Sequence, residues 1–427
     1  MATARLGGLL QLLLPLLKLM FWWRGRKDPR YRLRWHERLA KQVIPERYRG
    51  AVVVHCASVG EVLASLGLIE ALLTKADAPP VIVTCMTPTG SALIQQRLAE
   101  RVYHCYLPLD TPTAVGRFLQ RVQPSAIWLM ETEVWPSLIQ RATEQQIPCL
   151  LLNARMSEKS AAGYRKARFL LGSVWQQLAW VAAQDQASAE RLQGLGVKPE
   201  RLTVCGQLKF DIELSNEAQQ QAQAWQQQIA GRFVWVAASV HPGEFDAMIT
   251  AHQQLLKQQP TALLIMVPRH PEQFPVVAEL LARSGLVWQQ RSQAEQMGTD
   301  SQVFLGDSMG EMLLWLQLAE VAFVGGSLIE RGGHNPLEAV VCDSAVISGR
   351  SVYNFAEVYQ NLQTAGGAQL LADSTELGEI LCHWQQAPEQ YQQQVLQARH
   401  VLNQHLGATE RVLNGAMKYS SQKPTEQ

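Results

Sequence analysis

A chain of 427 residues, 47% hydrophobic and 18% charged, is too long for one ordinary core and apolar enough for two, so two domains are expected. The net charge of +1 conceals an asymmetry: residues 1–50 hold 12 Lys and Arg against 3 Asp and Glu, whereas the remaining 377 hold 26 against 34. The head is therefore at +9 and the body at −8, and the two face different partners. Seven cysteines lie mostly in apolar runs with no CxxC pair and no zinc-ligand spacing, which argues for reduced thiols in a cytosolic compartment.

In chain order, Leu6–Trp23 is nearly continuous hydrocarbon, and Arg24, Arg26, Lys27, Arg30, Arg32 and Arg34 follow at once. A secretory signal ends in small residues, whereas this stretch ends in two tryptophans and a basic cluster that keeps its flank in the cytoplasm. Eighteen helical residues reach about 27 Å, marginal for a span, so the segment crosses the bilayer or lies in one leaflet. An amphipathic helix that merely begins the first domain is the plainer alternative.

Apolar runs then alternate with helical patterns: AVVVHC (51–56), PVIVTC (80–85), AIWLME (126–131), PCLLLN (148–153) and WVAAQ (180–184). A second series comprises FVWVAAS (233–239), ALLIMVP (262–268), QVFLGD (302–307), EVAFVGG (320–326) and SAVIS (344–348). Strands alternating with helices predict two parallel, doubly wound α/β sheets. A Gln- and Ala-rich stretch over 213–231 separates the series and reads as a linker.

Nearly every run ends in a polar or glycine-rich cluster, and open α/β sheets bind ligands at the carboxyl ends of their strands. After the first strand, Ser58 and Glu61 have the spacing of a capping box, and Glu61 could equally accept a proton from a hydroxyl. Glu131 and Glu133 stand at another strand end, either solvated or orienting an acceptor. Lys209 closes the first domain, as a surface lysine or as a cation for an anionic group. In the second half, Arg269 offers the bidentate cation a phosphate needs, and the backbone near Gly310 a second anion site. Gly325-Gly326-Ser327 and Gly332-Gly333-His334-Asn335-Pro336-Leu337-Glu338 bring backbone close to a ligand, with Glu338 placed to bind a ribose diol, unless the glycines only shape a turn. The pattern is not GxGxxG after a first strand, so a dinucleotide is disfavoured.

Taken together, HCASVGE, MTPTGS, ETEVWP, NARMSEKSAAGY, LKFD, HPGE, VPRHPE, GDSMGE and FVGGSLIERGGHNPLEA resemble the Kdo transferases of lipopolysaccharide synthesis, over nearly the whole chain. The resemblance implies a GT-B fold, two Rossmann-like domains facing across a cleft, with a hydrophobic membrane-anchor helix at the N-terminus. It implies an anchor over 1–24, an acceptor-binding domain over 25–212, a linker over 213–231 and a donor-nucleotide domain over 232–427. It also implies inverting transfer of Kdo from CMP-Kdo to a lipid A precursor, lipid IVA, at the cytoplasmic face of the inner membrane. Glu61 matches the family's base, and Glu131 and Lys209 match positions that stabilise the transition state. Pro268 and Arg269, Met309, Gly310 and Glu311, and Asn335, Pro336, Leu337 and Glu338 match segments that hold CMP. No metal, cofactor or nucleic-acid partner is implied. The alternative is a membrane-associated GT-B transferase using another nucleotide sugar. Ser137, Phe245 and the GRSVYNF loop (349–355) depart from the family pattern.

Overall fold

The computed structural model describes residues 11, 14–26, 28–171, 173–212, 214, 216–294 and 297–421. It divides into two compact units, Met1–Asp211 with His405–Gln427, and Ile212–Gln404.

The first unit carries seven strands: β1 (Val52–Cys56), β2 (Val81–Cys85), β3 (Tyr103–Tyr106), β4 (Ala126–Met130), β5 (Cys149–Ala154), β6 (Trp180–Ala183) and β7 (Leu202–Val204). They form one parallel sheet in the order β3-β2-β1-β4-β5-β6-β7, so the winding reverses between β1 and β4. β1, β2, β4, β5 and β6 are buried along their whole length, which is why they read as unbroken apolar runs. Helices start directly after several strands, because Ser58, Thr87, Ser157 and Asp185 each accept a hydrogen bond from the backbone N–H three residues on. Those turns put polar residues at the carboxyl edge of the sheet.

The second unit repeats the plan with β8 (Val234–Val240), β9 (Leu263–Pro268), β10 (Trp288–Gln290), β11 (Val303–Leu305), β12 (Val321–Val324), β13 (Ala345–Ser348) and β14 (Gln369–Leu370). Their order, β10-β11-β9-β8-β12-β13-β14, places the reversal between β8 and β12. The sequence runs marked five strands per sheet. β3, β7, β10 and β14 escaped because they are short and only partly buried, so they lack an apolar run.

Two boundaries differ from those read in the sequence. The stretch 213–231 is not a bare linker: helix Asn216–Gln226 belongs to the second unit, and Trp225, 5% exposed, packs its ring 5.5 Å from both Phe304 and Trp315. One tryptophan among glutamines suffices to dock a helix, and composition alone hides it. The second unit also does not run to 427. Helix Ala408–Ser421 returns to the first, where Trp128 donates to Ser420 Oγ at 3.0 Å, Tyr419 stacks on Trp180 and Gly415 lies so close to Trp180 that a Cβ there would meet its ring at 2.2 Å.

Of the hydrophobic head, Gln11 and helix Leu14–Arg24 are described, and the other residues of 1–13 lie outside the described set. Among the described residues no helix is long and apolar enough to cross a membrane. Phe21 alone in this helix is buried, against Tyr31, Trp35 and the Arg38 guanidinium, which is itself held between the Phe21 and Tyr106 rings. Leu16, Leu19, Met20, Trp22 and Trp23 are exposed.

Candidate active site

The turn after β1 carries Glu61, 8% exposed. Ser58 Oγ accepts from the Glu61 N–H at 3.4 Å and donates to its Oε1 at 3.0 Å, while the Ala57 N–H donates to Oε2 at 2.7 Å. The capping geometry is therefore real, but it does not leave an ordinary acid. Burial raises the carboxyl to about 7, with the charges of Glu133 and Glu131 adding to the rise and the bonds from Ala57 and Ser58 opposing it. Capping and proton transfer are compatible here: the cap fixes the carboxylate, and the burial gives it the affinity of a base working near neutrality.

Across the reversal point, β4 is followed at once by Glu131, whose φ of 55° is left-handed. That conformation costs a non-glycine residue about 1–2 kcal/mol. The Glu131 N–H, donating to the Leu152 carbonyl at 2.9 Å, helps hold it. Its carboxylate stands 3.7 Å from Lys209 Nζ. Lys209 is no loose surface lysine. It sits in the one-turn helix Leu208–Phe210, pinned by the Leu208 N–H to Asn153 Oδ1 at 3.1 Å and by fully buried Phe210 against His405. Asp211, next along, accepts from the N–H groups of Gly407 and Thr409. The Lys209 loop of the first unit is thus tied to the segment from His405 onward.

Glu133 adds a further carboxyl. It accepts from Trp135 Nε1 at 2.8 Å, and burial holds it above the usual carboxylate range. His55 Nε2 lies 3.9 Å from it, but the imidazole is fully buried and burial pushes it down to about 3. The contact is that of a neutral ring, not an ion pair. His55 Nδ1 bonds Thr84 Oγ1 at 3.0 Å, and the ring meets Trp135 edge-on at 5.3 Å. A cavity of about 490 Å³ at the opposite edge of this sheet, before β4 and β5, is lined by Gln123–Ser125, Gln145–Pro148, Ser420 and Ser421 and includes none of these groups.

In the second unit, Pro268 ends β9, and the exposed Arg269 that follows donates its N–H to the Val240 carbonyl at 3.0 Å. Pro336 caps helix Leu337–Val341, Asn335 Oδ1 accepts from the Leu337 N–H at 3.1 Å, and Glu338 faces the field of Arg269. Burial raises the Glu338 carboxyl and the charge of Arg269, from another strand end, opposes the rise. Met309 and Gly310 are exposed after β11, with Gly310 at φ 88°. Glu311 is held by Arg291 through two bonds of 3.1 and 3.0 Å and by Ser308 Oγ, and the helix it caps, Met312–Gln317, is only six residues long.

The sequence marked HPGE and GGHNP as strand-end motifs without revealing what joins them. Glu244 is fully buried, and its carboxylate accepts from the N–H groups of His241, Gly326, Ser327 and Leu328 at 2.9, 2.8, 3.0 and 3.1 Å. It fastens the loop after β12 to the turn after β8. His241 and His334 meet beside it with Nε2 atoms 2.8 Å apart. A pair 93 positions apart leaves no local signal.

Residues 33–212 match the family described as 3-deoxy-D-manno-octulosonic-acid transferase (kdotransferase). Among curated proteins, the chain is 39% identical over 350 residues to the 3-deoxy-D-manno-octulosonic acid transferase of Haemophilus influenzae, covering 80% of each chain. It is 34% identical over 383 residues to the enzyme of the same name from Bordetella pertussis, covering 87% of each. Among solved structures, the C-terminal CMP-Kdo binding domain of WaaA from Acinetobacter baumannii aligns at 34% identity and a TM-score of 0.41, over 44% of this chain and 96% of that one.

Proposed function

The chain belongs to the 3-deoxy-D-manno-octulosonic acid transferase family, a family of glycosyltransferases, and from that premise we propose that it transfers Kdo from CMP-Kdo to the lipid A precursor lipid IVA, releasing CMP with inversion at the anomeric carbon. Glu61 carries this reading: a fixed carboxyl with an affinity near neutrality suits removal of the acceptor hydroxyl proton as that oxygen attacks. Glu131, fixed by its strained backbone and paired with Lys209, supplies charge to the oxocarbenium-like centre. Arg269 opposes the charge on the departing phosphate, and Glu338 with Asn335, Pro336 and Leu337 holds the nucleoside. Pro268 and the backbone of Met309, Gly310 and Glu311 complete the CMP cradle.

The acceptor is a lipid, so the enzyme works at the cytoplasmic face of the inner membrane. The exposed Leu16, Leu19, Met20, Trp22 and Trp23 provide an apolar face for one leaflet. Exposed Arg24, Arg26, Arg30 and Arg32 lie beside it, each worth about 1 kcal/mol against anionic headgroups, less for Arg30, which is paired with Asp28. Arg34 is withdrawn from that role, because its guanidinium binds Glu37 and Ser91.

The test is product mass and CMP release when purified protein meets CMP-Kdo and lipid IVA in detergent. Mass gain in units of Kdo, with matching CMP, is expected. Turnover of a uridine-linked sugar with none of CMP-Kdo would overturn the assignment of donor.

A further inference from the structure

The reversal point of the second sheet is flanked by the carboxyl ends of β8 and β12, the place where open α/β sheets take ligands. His241 follows β8 directly, and the glycine loop after β12 brings His334 back to it: the Gly333 N–H bonds the Gly326 carbonyl at 2.9 Å and the His334 N–H bonds that of Gly325 at 3.2 Å. The two imidazoles lie within 5° of parallel, with centroids 5.1 Å apart. At an Nε2 to Nε2 distance of 2.8 Å one ring must donate and the other accept, so the pair holds one proton between two nitrogens. His241 is 4% exposed, and its Nδ1 is buried without a hydrogen-bond partner among the described residues.

The charged groups around the pair are mostly positive. Arg269 and His270 approach from the end of β9, His270 lying edge-on to His241 at 5.4 Å, and Arg331 approaches from the loop after β12. Glu244 accepts from the His241 backbone, and its carboxylate is occupied by four backbone N–H groups. Glu338 lies in the field of Arg269. Burial first, and then these cations, keep both His241 and His334 neutral, at about 4. A neutral imidazole pair amid two arginines is set to gain a proton when an anion enters and reverses the local field.

We propose that His334, with Arg269, contacts the anionic end of a nucleoside phosphate, that His241 acts through the proton it shares with His334, and that the pair takes up one proton when that ligand binds. This rests on the donor reading above and names the groups that receive its phosphate. In the transfer, the bond from the sugar carbon to the phosphate oxygen breaks and its electron pair stays on that oxygen. The acceptor oxygen forms the new bond to the carbon, and its proton passes to Glu61. The proton gained by the imidazole pair stays there and opposes the charge left on CMP.

The sign follows from linkage. A group near 4 in the free protein and higher in the complex takes up protons between those two values, so affinity rises as pH falls through the upper one and levels off below about 4. The probe is the methyl ester of cytidine 5′-phosphate, whose phosphodiester does not titrate in this range and whose cytosine ring is almost wholly neutral at pH 5.5. Calorimetry of the full chain in detergent at pH 5.5, in two buffers of different ionisation heat, should report uptake approaching about one proton per ligand, with Kd falling up to about tenfold per pH unit inside the window. His241→Gln and His334→Gln should each flatten that dependence and reduce the uptake. Binding by the native protein with no linked proton overturns the proposal whatever the variants do, as does uptake unchanged in both folded variants. Such a result leaves the donor reading intact, whereas no binding of the cytidine ester at any pH removes both.

Discussion

Glu61→Gln separates the cost of the proposed base from its use. The side chain is isosteric, the amide oxygen can still accept from Ala57 and the amide nitrogen can donate to Ser58, so the cap at the start of the helix survives. Burial raises the native carboxyl from the ordinary 4.5 to about 7. A shift of that size corresponds to roughly 3 kcal/mol at about 1.4 kcal/mol per pKa unit. The folded state binds this proton more tightly than the unfolded state. The contribution is therefore fully present below about 4.5, declines as pH rises, and is gone above about 7. Glutamine does not ionise, so the variant should be as stable as the native protein at pH 4.5 and more stable by up to about 3 kcal/mol at pH 8. Turnover at pH 8 should fall by about 10²- to 10⁴-fold, because the amide cannot take the acceptor proton. Urea unfolding of both proteins at the two pH values, followed through the tryptophans of the first sheet, gives the first comparison, and CMP release gives the second. A variant that loses turnover but shows the same stability difference at both pH values would refute the raised affinity. One that keeps turnover would remove Glu61 from the chemistry.

Lys209→Ala removes the cation 3.7 Å from Glu131 and should lower turnover by about 10²-fold with CMP affinity unchanged, since the side chain belongs to the first unit; unaltered turnover in a folded variant would dismiss it. Arg269→Ala should weaken CMP binding by about 1.5–3 kcal/mol by calorimetry, and unchanged affinity in both this variant and Glu338→Ala would move the nucleotide elsewhere. Trp225→Ala should destabilise the second unit by about 3–5 kcal/mol in thermal unfolding, the loss expected of a packed core tryptophan; a linker residue would show almost none. Replacing Leu16, Leu19, Trp22 and Trp23 by serine, while keeping buried Phe21, should release the protein from anionic vesicles in flotation without altering CMP affinity. Undiminished flotation would mean that another surface docks the membrane.

The long buried strands were legible because a parallel sheet covered on both faces demands apolar residues at every position. β3, β7, β10 and β14 were not, since edge strands alternate or stay partly wet. Glu61, Glu131, Arg269 and Glu338 could be picked out because strand ends concentrate polar groups, and a strand end can be located from local pattern. What the pattern could not carry was pairing at long range. Lys209 looked like any exposed lysine until the Asn153 and His405 contacts fixed its loop. The left-handed backbone of Glu131 has no composition signal at all. Glu244 read as a polar residue in a turn, whereas its partners lie 82 to 84 positions away. The tail from His405 onward was assigned to the nearer unit because sequence proximity is the default, and only Trp128, Trp180 and Asp211 reveal where it docks.

That returning tail makes the second unit an insertion within the first. On a ribosome, the second unit is complete by Gln404 while the first still lacks its closing helix. The unit bearing Glu61 must wait for the final helix, whose arrival covers the indole rings of Trp128 and Trp180. A chain that stops between Gln404 and Ala408 therefore holds a complete second unit and a first unit whose sheet has an open hydrophobic flank, and quality control can recognise it by that flank.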